Sequence, residues 1–334
     1  MAPDKFRGSI TASTLARGIS SHLRQHHVEA KPFPLSDGGE GFLDAFSGDP
    51  IEVELLGPLG EPTSAKVLLL RKPDRVVGIV ESAEAIGRQL IKQPTSAEAF
   101  AASSAPLGAL LLACRDAGAT ELLIGLGGSA TSDGGQGVFH VLNAQAFDLP
   151  MTIACDVEVP YFEAIAFAEQ KGIATNDLEK VRARLSDMAN LLLEVTGTDP
   201  RTLLGAGAAG GVGGALLCLG AQSVLGAQLV ADQCGLTRAL ASATTLITGE
   251  GALDVTSLSG KVVGHLLAST PEDCQVIIVA GTATREVLNE IERRRPGTEV
   301  LILDQQFGTA RSLAEPLPLA TSLLDQLLFF DATS

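Results

Sequence analysis

Apolar residues near the start of the chain recur at the spacing of one helical face. Three of them lie four positions apart: Leu15, Ile19 and Leu23. Ser9 or Thr11 can cap the first turn, because a side-chain oxygen there accepts a backbone N–H. The pattern predicts a helix that runs to about His26 and is followed by an extended segment over 30–35.

The pattern then changes to short apolar runs typical of strands. Runs at 51–55, 65–70 and 76–81 are separated by short Gly/Pro turns, which predict an antiparallel meander. Later apolar runs alternate with helical sequence, which favours a parallel, doubly wound sheet. These later strands are predicted at 121–125, 246–248, 276–280 and 300–303.

These elements predict an α/β fold with two domains. We expect a discontinuous, Rossmann-like parallel-sheet domain that binds a nucleotide and consists of 1–47, 100–142 and 216–334. A mixed α/β domain is inserted into it and consists of 48–99 and 143–215, including a possible strand at 151–155. Ligands of open parallel sheets bind beyond the carboxyl ends of the strands. The sequence therefore predicts an active site in a cleft between the domains.

Composition narrows the classes of partner. The chain has 334 residues, of which 46% are hydrophobic, and this fraction is adequate for a large core. The formal net charge of -15 opposes binding to nucleic acid or anionic lipid. No apolar signal-peptide core follows Met1, so a cytoplasmic protein is expected. The uncharged stretch 202–231 contains eight glycines and is interpreted as a buried segment of a soluble domain, not as a membrane span.

Cysteine and histidine spacing does not suggest a metal centre. The five cysteines are scattered without a CxxC pair, so they are interpreted as reduced thiols. There is no HExxH motif, and the five histidines are dispersed except for His26-His27.

Three glycine-and-carboxylate segments predict chemistry on a phosphate. They occupy 36–41, 127–135 and 249–254, and the last is followed by Gly260-Lys261. Glycine lets backbone N–H groups approach anionic oxygens, while adjacent carboxylates can hold the Mg²⁺ that accompanies a nucleotide. Each segment follows an apolar strand-like run, so all three are expected at the carboxyl edge of the sheet.

Other nucleotide motifs are weak or absent. Walker A and the protein-kinase signatures are missing, while 125–130 and 205–210 match the dinucleotide pattern GxGxx(G/A). An acidic residue just after the first match would face a pyrophosphate without a metal, and no predicted strand precedes the second. A nicotinamide-dependent or flavin-dependent oxidoreductase therefore stays a minor alternative.

Five motifs in order resemble the bacterial glycerate kinase type I family over nearly the whole chain. They occupy 2–9, 36–41, 127–135, 205–211 and 248–261. The resemblance implies a flavodoxin-like domain interrupted by a second domain. It also implies phosphorylation of D-glycerate by ATP and Mg²⁺, generally to 2-phosphoglycerate.

Within that resemblance, the residues receive the following expected roles. The catalytic candidates are Asp37, Asp133, Asp156 and Lys261. The candidates that bind substrate or phosphate are Lys5, Arg7, Gly38, Gly39, Gly127, Gly128, Ser129, Thr131, Gly249, Gly251 and Gly260. The candidate metal ligands are Asp254 and Glu250. Lys171 is a further phosphate candidate, although an exposed lysine is the preferred interpretation.

The chain also departs from the resemblance. Related chains have an apolar strand before Ala2, so the first sheet strand is expected to be missing, and the segments 146–151 and 158–161 are shortened. A descendant that binds a ligand without catalysis therefore stays an alternative to a kinase.

Overall fold

The computed structural model describes residues 1–155 and 159–330, and these form two compact units. Unit 1 combines Met1–Asp37 with the chain from Ala227 onward, and unit 2 is Gly38–Gly226. Each unit contains its own sheet. The mixed α/β class predicted from the sequence is confirmed.

Unit 2 contains a six-stranded sheet in the simple order β1-β2-β3-β4-β5-β6. The strands are β1 Asp49–Leu56, β2 Pro62–Arg71, β3 Val76–Glu81, β4 Glu121–Leu126, β5 Met151–Cys155 and β6 Gln222–Leu225. The first three pair antiparallel and the remaining pairs are parallel. The predicted meander is therefore confirmed, and it forms one end of a mainly parallel sheet.

Burial along the strands follows their position in this sheet. The edge strand β1 alternates between exposed and partly buried residues, while β4 is buried from Leu122 to Leu126. A strand covered on both faces needs apolar side chains on both, which explains the continuous run of hydrophobic residues in β4.

Unit 2 also contains helices. They are α2 Ser82–Ile86, α3 Ser96–Ala101, α4 Ala105–Asp116, α5 Gln136–Ala144, α6 Leu178–Thr196 and α7 Val212–Cys218. Leu110 of α4 and Phe139 of α5 belong to one buried cluster that also contains side chains of β2 to β5. The cluster fixes α4 and α5 on the sheet, and the loops at the carboxyl ends of β3 and β4 lead into this region.

Unit 1 contains a parallel three-stranded sheet in the order β7-β8-β9. Its strands are β7 Thr245–Leu253, β8 Gln275–Ala283 and β9 Glu299–Ile302. The helices are α1 Ala12–Gln25, α8 Gly226–Gln233, α9 Leu236–Leu240, α10 Val262–Ser269, α11 Arg285–Arg294, α12 Leu303–Phe307, α13 Thr309–Ala314 and α14 Pro316–Asp325. Thr11 caps α1 as the sequence predicts, and Leu15, Ile19 and Leu23 are buried.

Residues 1–4 run in extended form beside β7. The N–H groups of Ala2 and Asp4 donate to the carbonyl oxygens of Ile247 and Gly249, each at 2.8 Å. On the other side, Leu35 donates to the carbonyl of Pro3 at 3.0 Å. The first sheet strand was expected to be missing, yet residues 1–4 pair with the backbone of β7 here.

The two units differ from the predicted domain boundaries. The segment 100–142 was assigned to the nucleotide-binding domain, yet it supplies β4, which is hydrogen-bonded between β3 and β5 of unit 2. Strand alternation alone did not show that β4 extends the meander sheet.

None of the described helices has the length and hydrophobicity needed to cross a bilayer. None of the five cysteines forms a disulfide among the described residues.

The packing of α4 predicts a large stability difference between two leucines of unit 2. Leu110 is 0% exposed, so Leu110→Ala leaves a cavity and should lower the free energy of unfolding by about 2–5 kcal/mol. Leu56 on the edge strand is 60% exposed, so Leu56→Ala should change it by less than about 0.5 kcal/mol. Urea unfolding followed by circular dichroism measures both. Equal effects of the two substitutions would contradict this packing.

Candidate functional site

The second glycine segment in unit 2 is organised around the carboxylate of Asp133. Its Oδ2 accepts hydrogen bonds from the N–H of Ser104 at 2.8 Å, the hydroxyl of Ser104 at 2.7 Å and the N–H of Gly137 at 3.1 Å. Its Oδ1 accepts from the N–H of Gly135 at 3.0 Å. Asp133 is 1% exposed. This geometry gives the carboxylate a structural task at the starts of α4 and α5, and its catalytic role stays a prediction.

Close backbone packing explains why glycine is needed at several positions that were predicted to bind phosphate. A Cβ at Gly127 would overlap Gly39, and a Cβ at Gly38 would lie 2.6 Å from the carbonyl oxygen of Ala154. Gly38 and Gly39 of the first glycine segment are therefore packed within unit 2, Gly39 against Gly127 of the second segment. Gly128 differs, because a Cβ there would make only an ordinary contact with the Cβ of Ala83 at 3.5 Å. Its φ of 65° lies in the left-handed region, which favours glycine.

Glu81, at the end of β3, holds the first glycine segment. Its carboxylate accepts the N–H of Gly41 at 3.1 Å and the N–H of Leu43 at 3.3 Å. Glu81 was not among the predicted site residues. Its position at the carboxyl end of a predicted strand was the available signal, since loops meet at that edge.

Lys171 is buried beneath the second glycine segment. Its Nζ donates to the carbonyl of Thr131 at 2.6 Å and to the hydroxyl of Ser129 at 3.2 Å. Burial lowers the pKa of Lys171 to about 7, while Asp133 acts in the opposite direction and Arg88 adds to the lowering. The preferred interpretation of an exposed lysine was therefore wrong. The hydrogen bonds tie Lys171 to two residues that were predicted to bind phosphate.

Unit 1 contains a second charged cluster at the carboxyl end of β7. We call it the β7 cluster, and its members are Asp4, Lys5, Asp37, Glu250 and Lys261. Lys5 donates its backbone N–H to Asp4 at 2.7 Å, and its ammonium lies 4.0 Å from the same oxygen. The structure thus brings together four predicted site residues and adds Asp4, which lies in the motif 2–9 but was not a predicted site residue.

Two carboxyl groups of the β7 cluster are destabilised as anions. Burial raises the pKa of Glu250 to about 7, with further raising by Asp4 and Asp37 and lowering by Ser257 and Lys261. Burial likewise raises the pKa of Asp4 to about 6, partly offset by Lys5. Oε1 of Glu250 is buried and has no hydrogen-bond partner among the described residues. A cation at this position would stabilise the ionised carboxylates and supply a partner for Oε1 of Glu250.

Asp254, predicted as a metal ligand, caps the short turn that follows β7. Its Oδ1 accepts the N–H of Thr256 at 2.8 Å, the hydroxyl of Thr256 at 2.6 Å and the N–H of Ser257 at 3.3 Å. The Thr256 contact holds the pKa of Asp254 below its ordinary value. Lys261 lies just before α10, and its Nζ is 3.2 Å from the Thr256 hydroxyl.

The third glycine segment is not a turn throughout. Gly249 and Gly251 lie inside β7, where a Cβ on Gly251 would come 3.0 Å from the Cα of Phe6. Glycine inside a strand permits such close approach of another backbone. Gly260 has a φ of 82° and forms the turn before Lys261.

The predicted site residues therefore lie as two groups, one in each unit. Unit 1 holds Lys5, Arg7, Asp37, Gly249, Glu250, Gly251, Asp254, Gly260 and Lys261. Unit 2 holds Gly38, Gly39, Gly127, Gly128, Ser129, Thr131 and Asp133. Asp156 lies outside the described residues.

The contacts of Asp133 predict a loss of stability in Asp133→Asn. An amide has one acceptor oxygen and places an NH₂ group against backbone donors, so the free energy of unfolding should fall by about 2–4 kcal/mol. Asp116→Asn is the control, since Asp116 lies in unit 2 with a side chain that is 68% exposed. Urea unfolding compares the variants. Unchanged stability of Asp133→Asn would argue against the structural task.

The β7 cluster predicts a pH-dependent stability. Between about pH 4.5 and pH 7, folded Glu250 binds more protons than unfolded Glu250, so the free energy of unfolding should fall as pH rises through this range. Glu250→Gln should make this slope shallower. Glu29→Gln is the control, because the Glu29 side chain is 83% exposed. Urea midpoints measured across the range, without divalent cations, give the slopes. Equal slopes in wild type and Glu250→Gln would refute the assignment.

Comparison with known proteins identifies the relatives of this chain. The model of the Glycerate kinase family matches residues 1–150 and 141–327. The Glycerate 2-kinase of Escherichia coli K12 is 30% identical over 329 residues, covering 86% of each chain. The Glycerate kinase of Haemophilus influenzae is 31% identical over 323 residues, covering 84% of this chain and 85% of the relative.

A solved structure shows the same relationship. The crystal structure of a Salmonella typhimurium LT2 protein assigned as glycerate kinase 2 superimposes with a TM-score of 0.77 at 27% identity, and covers 99% of this chain and 98% of its own. Family model, sequence relatives and fold agree over nearly the whole length. The chain therefore belongs to the glycerate kinase family.

Proposed function

We propose that this chain transfers the γ-phosphoryl group of Mg·ATP to a hydroxyl of D-glycerate and yields 2-phosphoglycerate. Membership of the glycerate kinase family supports an enzyme that transfers phosphate to an alcohol group. The choice of the 2-hydroxyl rests on the relative named Glycerate 2-kinase. The nucleotide and the metal rest on the chemistry of the β7 cluster.

The observation that carries the proposal is the composition of the β7 cluster. Two lysines and three carboxylates converge at the carboxyl end of a parallel strand, where ligands of α/β sheets bind. Phosphoryl transfer requires mainly positioning and neutralisation of charge, which this set of groups can supply.

The residues of the β7 cluster fit a magnesium ion that accompanies a nucleotide. Mg²⁺ retains several waters and is bound by one or two carboxylates together with phosphate oxygens, so a cage of closely spaced protein ligands is not needed. Glu250 and Asp4 are the candidate ligands, because their buried carboxyl groups have raised pKa values and Oε1 of Glu250 lacks a partner. When bound, Mg·ATP supplies the phosphoryl group and divalent charge that offsets its oxygens.

The lysines are proposed to hold the anionic groups of the reactants. Lys261 stands at the start of α10, whose first N–H groups carry partial positive charge, and is assigned to the β- or γ-phosphate. Lys5 and the exposed Arg7 are assigned to the carboxylate of glycerate, which a guanidinium can grip through two oxygens.

Asp37 is the proposed base. The hydroxyl oxygen of glycerate forms a bond to the γ-phosphorus as the bond from that phosphorus to the β–γ bridging oxygen breaks, and Asp37 takes the hydroxyl proton. Lys261 offsets charge on the departing diphosphate. A structural carboxylate already saturated with donors, such as Asp133, is less suited to this task.

Neither match to the dinucleotide pattern adds support to the nicotinamide alternative. The backbone of Gly39 occupies the space in front of Gly127 within unit 2. In the described chain before Gly205, the short 3₁₀ turn Pro200–Thr202 is formed and no strand leads into the second match.

Two substitutions in the β7 cluster test the proposal. Lys261→Ala and Asp37→Asn should each lower kcat/KM for D-glycerate by about 100-fold or more, because each removes charge compensation or proton transfer. Release of ADP from Mg·ATP in a coupled assay measures the rate. Lys180→Ala is the control and should keep the wild-type rate, since Lys180 is 69% exposed and paired with Asp177.

The outcomes separate the remaining alternatives. Wild-type rates in both cluster variants would remove the assigned roles. Binding of Mg·ATP by the wild type without release of ADP would instead support the ligand-binding protein. Thermal unfolding of each variant verifies that a lost rate reflects chemistry and not a lost fold.

A further inference from the structure

A group of three potential metal ligands lies in unit 1, outside the β7 cluster. His22 is in the last turn of α1, His26 follows that helix, and Asp325 is the last residue of α14. Each offers one ligand atom, and the three atoms lie within 4.8 Å of one another. In the parts of the chain that the structure describes, no other group of three histidine, cysteine or carboxylate side chains meets this spacing.

The two histidines face the same carboxylate oxygen because they are four positions apart. Residues at this spacing share one helical face. Nε2 of His22 lies 2.7 Å from Oδ1 of Asp325, and Nε2 of His26 lies 3.9 Å from the same oxygen. The imidazole centroids are 4.9 Å apart. The sequence pattern did not predict this group of three, because Asp325 is 303 positions away from His22.

We propose that His22, His26 and Asp325 form a binding site for Zn²⁺. Zinc is bound by imidazole nitrogen and carboxylate oxygen at about 2.0–2.2 Å, so neighbouring ligand atoms of a tetrahedral site lie about 3.3 Å apart. The distances from Asp325 to His22 and His26 fall on either side of that value. Rotation of these partly exposed side chains would bring the three atoms, which lie within 4.8 Å of one another, to a common ion, with the fourth position left for water.

The donor set selects the class of metal. Imidazole favours Zn²⁺ and related transition ions, whereas Mg²⁺ and Ca²⁺ prefer oxygen ligands alone. The Mg²⁺ of the proposed reaction is thus expected at the carboxylates of the β7 cluster and not here. The two sites share no residue.

The position of His26 distinguishes a metal site from a simple hydrogen-bonded pair. A bond between His22 and Asp325 needs no third partner, yet the ring of His26 also faces their shared oxygen. Stacking on Phe329, with centroids 4.7 Å apart and an interplanar angle of 17°, supports that orientation. A bound ion would connect α1 with α14, two helices that also pack together through buried leucines.

Calorimetric titration of the full-length chain with ZnCl₂ tests the site. The protein is first freed of metal with a chelator. Wild type should bind one Zn²⁺ at this site, and His22→Gln, His26→Gln and Asp325→Asn should each weaken that affinity by about tenfold or more. His140→Gln is the matched control, because this exposed histidine belongs to unit 2. It should bind as wild type does.

A second control separates this site from the β7 cluster. Asp37→Asn removes a carboxylate there and should leave the Zn²⁺ affinity unchanged. Loss of binding in Asp37→Asn with retention in the three ligand variants would overturn the proposal, as would absence of binding in wild type. Because the three substitutions are independent and similar in size, a variant that fails to fold leaves two that carry the test.

Thermal unfolding provides a readout that does not depend on heat signals. An ion that binds only the folded arrangement of α1 and α14 should raise the unfolding temperature of wild type. The ligand variants should show a smaller rise, while His140→Gln should show the full one. An equal rise in wild type and all three ligand variants would contradict the proposed site.

Discussion

The buried carboxylate of Asp133 is the interaction on which the central loops of unit 2 depend. Such a charge is costly unless donors replace the lost water, and here four hydrogen bonds do so. Ser104, Gly135 and Gly137 supply these donors at the beginnings of α4 and α5. Both helix starts also carry partial positive charge. One side chain therefore fixes two helices and the glycine segment between β4 and α5. The buried Lys171 holds the same segment by donating to the carbonyl of Thr131.

Glu250 and Asp4 of the β7 cluster are in the opposite condition. Burial is the main reason that the pKa values of Glu250 and Asp4 rise, and the charges of neighbouring carboxylates add to the rise. Structural carboxylates are normally satisfied by donors, so the raised pKa values and the unpartnered Oε1 of Glu250 in the described part of the chain make this cluster a candidate ligand site. The contrast with Asp133 supports chemistry at the β7 cluster and a structural task for the second glycine segment.

Periodicity was sufficient to predict most of the elements, because each depends on its own residues. The helix α1, the meander of β1 to β3 and the strands β4, β5, β7, β8 and β9 all follow from runs of apolar positions. The roles of charged residues did not follow in the same way. Asp37 and Asp133 both precede two glycines. Asp133 accepts a hydrogen bond from Ser104, 29 positions away, whereas Asp37 interacts electrostatically with Asp4 and Glu250. The same local sequence thus has different chemistry because its distant partners differ. The environment of Lys171 is likewise set by distant residues, Ser129 and Thr131.

The β7 cluster keeps its repelling carboxylates together because the backbone that carries them is held independently. Asp4 lies on the extended segment 1–4, which is hydrogen-bonded to β7 and to residues 33–35. Phe6 and the buried face of α1 then pack with Leu319 and Leu323 of α14. These apolar contacts do not depend on the ionisation of Asp4 or Glu250, so they can oppose the repulsion between the carboxylates. The C-terminal helix is far from the motifs in sequence, yet it supports their geometry through α1.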